Sequence, residues 1–162
     1  MNLTIHVVRE LVGMKLLKYN AKALCIGEGS AATMLTLQDL GFSNAGGVYR
    51  HRFFSLKRKQ FVNELDFADN SFDFVLSMDV DKVFVPALLV LEIERVLSPG
   101  GIGAMLVEGV SGSFPNSLIR SATPVSSLLK SSNVVHVGYV QNFTLVVFKN
   151  NIYIYIYIYN HR

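Results

Sequence analysis

A chain of 162 residues is long enough for one domain, burying about two-thirds of the surface that its unfolded form exposes. Of its residues 51% are hydrophobic and only 17% charged, which excludes a disordered chain and a soluble helical bundle and points to a sheet-rich globular core. A formal charge of +3 is too small for a general nucleic-acid footprint, and the lone Cys25 excludes an internal disulfide or a multi-cysteine metal site, so a reducing, cytoplasmic compartment is expected.

In chain order, residues 1–19 carry Leu3, Val7, Leu11, Met14 and Leu17 at helical spacing, with Arg9, Glu10 and Lys15 interrupting any hydrophobic stretch. This predicts an amphipathic helix packed on a sheet, with membrane-surface association as the alternative, and neither a signal peptide nor a transmembrane helix. Ala23-Leu24-Cys25-Ile26 then reads as a buried strand, Gly27-Glu28-Gly29-Ser30 as a glycine-bracketed turn, and residues 31–40 as a helix followed by Gly41. Glycine lets the backbone approach a ligand closely, and a helix start offers unpaired N–H groups and a positive dipole end. The unit suits a nucleotide-like cofactor; a structural turn without ligand is the alternative.

Gly46-Gly47-Val48-Tyr49 is a second short strand. The basic run of Arg50, Arg52, Lys57, Arg58 and Lys59, with Phe53, Phe54 and Phe61, reads as a solvated helix face anchored by its aromatic residues rather than as a nucleic-acid stacking surface. After the turn Asp69-Asn70-Ser71, residues 72–78 have too few polar positions for a strand that faces water, so burial on both faces is expected. Pro86 suits the first turn of a helix with Leu88, Leu89, Ile93, Val96 and Leu97 on one face, Glu92, Glu94 and Arg95 mostly outside, and Ser98-Pro99-Gly100-Gly101 as a sharp stop. Residues 102–107 are the next buried strand. Residues 108–132 are rich in Ser, Gly and Pro, with a short helix expected near 117–120 or 126–130, and 134–140 and 143–148 form an antiparallel hairpin around Gln141-Asn142.

Strands alternating with helices predict an α/β fold: a Rossmann-like, doubly wound, mostly parallel sheet with an antiparallel C-terminal hairpin and helices on both faces. Residues 152–159 are a strict Ile-Tyr repeat, uncharged and β-prone, which at an open edge would be an aggregation hazard. An AT dinucleotide repeat translates as alternating Ile and Tyr, so the tail is read as translated low-complexity DNA without function. The chain divides into an N-terminal helix (1–20), a central domain (21–149) and this tail (150–162).

Three segments, in this order, resemble the class I S-adenosylmethionine-dependent methyltransferases. Residues 23–30 resemble the family's first glycine motif, 65–77 its turn, Ser-Phe-Asp and hydrophobic fourth strand, and Leu91-Glu92-Ile93-Glu94-Arg95-Val96-Leu97-Ser98-Pro99-Gly100-Gly101 its helix and glycine turn before the fifth strand. The resemblance covers about residues 20–149 and is closest to the plant methyltransferase-like proteins of type 11. It implies S-adenosyl-L-methionine as cofactor and an acceptor, small molecule or protein, that the short and chemically plain loops do not name. Gly27, Glu28, Gly29 and Ser30 would line its methionine and ribose side, Glu64 and Leu65 the adenine side, and Ser77 and Met78 the methyl-transfer side. Asp79 and Asp81, just after the fourth strand, are the candidates for orienting the acceptor or acting as a base; two solvated loop carboxylates are the plain alternative. Methyl transfer needs positioning more than side-chain chemistry, so the scattered His6, His51, His136 and His161, which suggest no metal site, do not count against an enzyme.

The pattern is also departed from. Cys25 stands where the family's first strand ends in an acid, and Ala31 replaces a third glycine. The end of the second strand, Val48-Tyr49-Arg50-His51, lacks the carboxylate that holds the ribose hydroxyls. A hydrogen bond to a charged group is worth about 1.5–3 kcal/mol, so its loss would weaken the cofactor roughly tenfold to a hundredfold. A catalytically inactive binding or scaffold protein on the same fold is the alternative reading.

Overall fold

In the computed structural model, which describes residues 2–27, 30–42, 45–48, 65, 67–78, 86–108, 126–151 and 160, the chain enters through a capped helix. The Asn2 side chain accepts from Thr4 N at 2.8 Å, satisfying a donor that the first turn of α1 (Leu3–Gly13) would leave unpaired. Thr4, Val7, Val8 and Leu11 are its buried residues, a helical stripe whose Val7, Val8 and Leu11 join Ala23, Cys25, Phe74 and Leu76 in one apolar cluster. The helix therefore packs on the sheet, but it is shorter than the spacing over 1–19 suggests. Met14 closes it and is exposed, Lys15 turns the chain through a left-handed φ of 61°, and Leu17 reaches the core from beyond the helix.

The sheet has six strands among the described residues: β1 (Ala23–Ile26), β2 (Ala45–Val48), β3 (Phe72–Ser77), β4 (Leu97–Glu108), β5 (Ser132–Val140) and β6 (Phe143–Asn150), in the order β2-β1-β3-β4-β6-β5. The first four run parallel, and β6 is antiparallel to both of its neighbours. Helix α2 (Ser30–Asp39) follows β1, and α3 (Pro86–Val96) lies between β3 and β4 in sequence. The hairpin arises as expected at Gln141-Asn142, with Gln141 at φ 54°, but its second strand is not an edge. Leu145, Val146, Val147 and Phe148 of β6 are all fully buried and need cover on both faces, so β6 inserts beside β4. Strand β5, with Asn133, Val135 and Tyr139 exposed, takes the outer position and runs in the direction of β4.

Alternation sorts the strand residues into two layers. Cys25, Leu76, Ala104 and Val147 face the cluster that contains Val7 and Val8 of α1 and Leu37 of α2, whereas Ile26, Val75, Met105 and Val146 face Leu89, Val90 and Ile93 of α3. Phe72 and Phe74 would share a face in a regular strand yet belong to opposite clusters. A bulge explains this: Asp73 N and Phe74 N both donate to Lys22 O, at 2.9 and 3.1 Å. Opposite it, β4 advances from Leu97 to Ile102 while β3 advances from Phe72 to Phe74. Ser98-Pro99-Gly100-Gly101, expected as a helix stop, is thus the bulged entry into β4, with Gly100 at φ 80°. Val96 and Leu97 are both buried, so the helix passes directly into the strand.

A second correction concerns the outer face of α3. Glu92 and Glu94 are each only 5% exposed, although their charge suggests a solvent position. Each is buried because it binds the end of another segment. Glu94 accepts from Lys130 N, Ser131 N, Ser131 Oγ and Ser132 Oγ at 2.7–2.9 Å, fixing the start of β5, and Asn150 Nδ2 donates to Leu97 O at 3.1 Å close by.

Candidate functional site

In an open α/β sheet ligands bind beyond the carboxyl ends of the parallel strands, and that end is where β1 meets its glycine turn. Gly27 has φ 126°, a conformation that side chains with a Cβ rarely adopt. Met78 N, one residue past β3, donates to the carbonyl of Ile26, the last residue of β1, at 3.3 Å, so Gly27, Ser77 and Met78 share one end of the sheet. Helix α2 starts at Ser30, three residues after Gly27, with its first N–H groups at the same end.

Ser77 is completely buried, and its Oγ has no hydrogen-bond partner among the described residues; Thr144 Oγ1, near the corresponding end of β6, is in the same state. A buried hydroxyl without a partner costs about 1–3 kcal/mol. Leu65 is buried in the cluster of Ile26, Leu89 and Val90, on the α3 side of the β1 terminus. Glu28, Gly29, Glu64, Asp79 and Asp81, the basic run 50–59, the region 117–120 and the repeat 152–159 lie outside the described residues. Residues 126–130 hold a turn, with Leu129 N donating to Ser126 O at 3.3 Å. Among the described residues no group of His, Cys, Asp or Glu is arranged for a metal ion, and no helix is long and apolar enough to cross a membrane.

Cys25, which stands where the resemblance expects an acid, contributes packing. Burial pushes its thiol up to about 12. The thiolate is the nucleophile, so Cys25 is expected to resist a disulfide-exchange reagent at pH 8 in the folded chain and to react once the chain is unfolded in urea. Because the folded thiol ionises later than the unfolded one, it contributes stability below pH 9 that is lost as the pH rises from 9 towards 12. Cys25→Val should flatten that alkaline limb of a stability–pH curve; an unchanged limb would exclude Cys25 as its source.

One set of residues near the site was not read from the sequence. Leu65 N donates to Glu92 Oε1 at 2.7 Å, while Arg95 Nη2 donates to Leu65 O at 2.9 Å and Arg95 Nη1 to Phe67 O at 2.8 Å. Arg95 Nε meets Glu92 Oε2, and Nη1 meets Asp69 Oδ1, both at 2.8 Å. The hydrogen bond to Glu92, then that to Asp69, raises the guanidinium above even its ordinary range. The Glu-x-x-Arg spacing puts both side chains on one helix face, which was the available signal; its target, backbone far away in sequence, was not.

Comparison with known proteins agrees with this geometry. The family model described as a methyltransferase domain matches residues 24–105, from β1 into β4. No curated protein sequence matches the chain. Among solved structures, an S-adenosylmethionine-dependent methyltransferase from Aquifex aeolicus is 17% identical, with 86% of this chain and 87% of that one covered and a TM-score of 0.60. A Burkholderia thailandensis 1,6-didemethyltoxoflavin-N1-methyltransferase, solved with 1,6-didemethyltoxoflavin and S-adenosylhomocysteine, is 14% identical over 91% of this chain and 76% of that one, with a TM-score of 0.66. At such identities the structures share the fold, while the domain match covers more than half of the sequence and includes the glycine turn, β3 and α3. The chain belongs to the methyltransferase-domain family of the class I S-adenosylmethionine-dependent superfamily.

Proposed function

We propose that the protein binds S-adenosylmethionine across the carboxyl ends of β1, β2 and β3 and transfers its methyl group to an acceptor. The observation that carries this reading is the left-handed Gly27 at the end of β1, directly before the N-terminus of α2 and level with Ser77 and Met78. The cofactor would supply an already activated methyl group. What the chain must supply is a close backbone approach at Gly27 and N–H donors at the start of α2. These groups fit the carboxylate and amino end of the cofactor. Asp79 and Asp81, which follow β3 in sequence, are the residues assigned to orienting the acceptor or taking its proton.

The reading is tested by calorimetric titration of the full chain with S-adenosylmethionine and S-adenosylhomocysteine. Both are expected to bind. Gly27→Val, which places a branched side chain at φ 126°, should abolish binding, whereas Asp79→Ala should retain it. No heat of binding at millimolar ligand would defeat the proposal. Binding unaccompanied by methyl transfer to any of a broad set of small-molecule and protein acceptors would favour the noncatalytic reading instead.

A further inference from the structure

We propose that Glu92 and Arg95 are positioning residues for the cofactor crevice: from α3 they hold both backbone polar groups of Leu65, and so set the wall of the crevice beside the end of β1. This rests on the cofactor reading above and adds to it two residues in no contact with the reacting groups.

The argument starts from the cost of burying Glu92. A carboxylate that is 5% exposed is stable only when its oxygens are fully engaged. Here Oε1 accepts from Leu65 N and from Arg95 Nη2, and Oε2 accepts from Arg95 Nε. The same guanidinium donates to Leu65 O and Phe67 O. Five planar donors in a fixed fork allow Arg95 to serve the carboxylate and the carbonyls of Leu65 and Phe67 together, which a lysine ammonium does not do. The backbone of Leu65 is thereby clamped on its N–H and its C=O to one helix. The Leu65 side chain lies in the buried cluster that contains Ile26, the residue before Gly27. The clamp therefore fixes the segment that approaches the glycine turn from the α3 side.

Glu94 makes this a positioning claim rather than a statement about stability. It is a carboxylate as buried as Glu92, on the same helix, and as fully engaged, but its donors are Lys130, Ser131 and Ser132 at the start of β5, which β3, β4 and β6 separate from β1 in the sheet. If each carboxylate served only to hold the fold, weakening either would have the same effect on ligand binding.

The experiment compares Glu92→Gln, Arg95→Lys and Glu94→Gln in the full chain, measuring the melting temperature, S-adenosylhomocysteine affinity by calorimetry, and amide hydrogen exchange at Leu65 without ligand. All three variants are expected to melt below the wild type. Glu92→Gln and Arg95→Lys should raise the Kd at least tenfold and speed Leu65 exchange, while Glu94→Gln leaves both within twofold. Equal Kd shifts in Glu92→Gln and Glu94→Gln, or an unprotected Leu65 amide in the wild type, would overturn the positioning role while the cofactor reading stands. No binding by the wild-type chain would overturn the cofactor reading, and the positioning role with it; Leu65 exchange would still report whether the clamp itself exists.

Discussion

Gly103→Ala is expected to destabilise the protein by at least about 3 kcal/mol and to lower its melting temperature by roughly 10 °C, a large effect for one methyl group. Gly103 and Phe148 face each other across the antiparallel β4–β6 pair, and the phenylalanine ring lies over the glycine. A Cβ at residue 103 would sit 2.1 Å from Phe148 Cζ and within 2.6 Å of two further ring carbons. Phe148 is fully buried among Val146, Met105 and the α3 residues, so the ring has nowhere to go without opening the core. The pair thus behaves as one unit, with the aromatic ring supplying the volume that glycine lacks. Urea denaturation of Gly103→Ala, Phe148→Leu and the double variant checks this. The alanine should cost much less in the Phe148→Leu background, and strict additivity would show that the ring is not the obstacle.

Glu94→Ala should cost about 3–5 kcal/mol, and Glu94→Gln an intermediate amount, because removal of the carboxylate strips two backbone N–H groups and two hydroxyls of their acceptor at the start of β5. The solvated position that the charge pattern of α3 suggests would give a change within about 0.5 kcal/mol. The two readings are therefore separable in one thermal melt. Faster amide exchange at Lys130 and Ser131 in Glu94→Ala would locate the loss there.

What could be read in advance follows from which forces act locally. Ala23-Leu24-Cys25-Ile26 and residues 72–77 are apolar runs bounded by turn residues, and such runs require two-sided cover wherever they sit; both are interior parallel strands. The glycine turn was legible because its departure from ordinary φ at Gly27 demands a residue without a side chain. The polar residues of α3 were misassigned for the opposite reason. A glutamate reads as exposed unless its partners are known, and Glu92 and Glu94 bind backbone N–H groups 27 to 37 residues away. The same limit applies to β6. Its burial pattern was plain in Leu145, Val146, Val147 and Phe148, but the choice between edge and interior depended on how well β5 tolerates exposure, a comparison between two strands rather than a property of either.

The position of β6 also has a consequence for how the chain assembles. The last of the described strands in sequence order fills an inner place in the sheet, so β4 keeps an open flank until some forty residues beyond it have been synthesised. Until then Ile102, Ala104, Leu106 and their neighbours present an unpaired apolar ladder to other nascent chains. At roughly 5–20 residues per second on a ribosome, that interval lasts several seconds, long enough for chaperone capture to compete with pairing. Slowing translation after Glu108 would lengthen it, and the yield of folded protein would then report on hairpin arrival rather than on native-state stability.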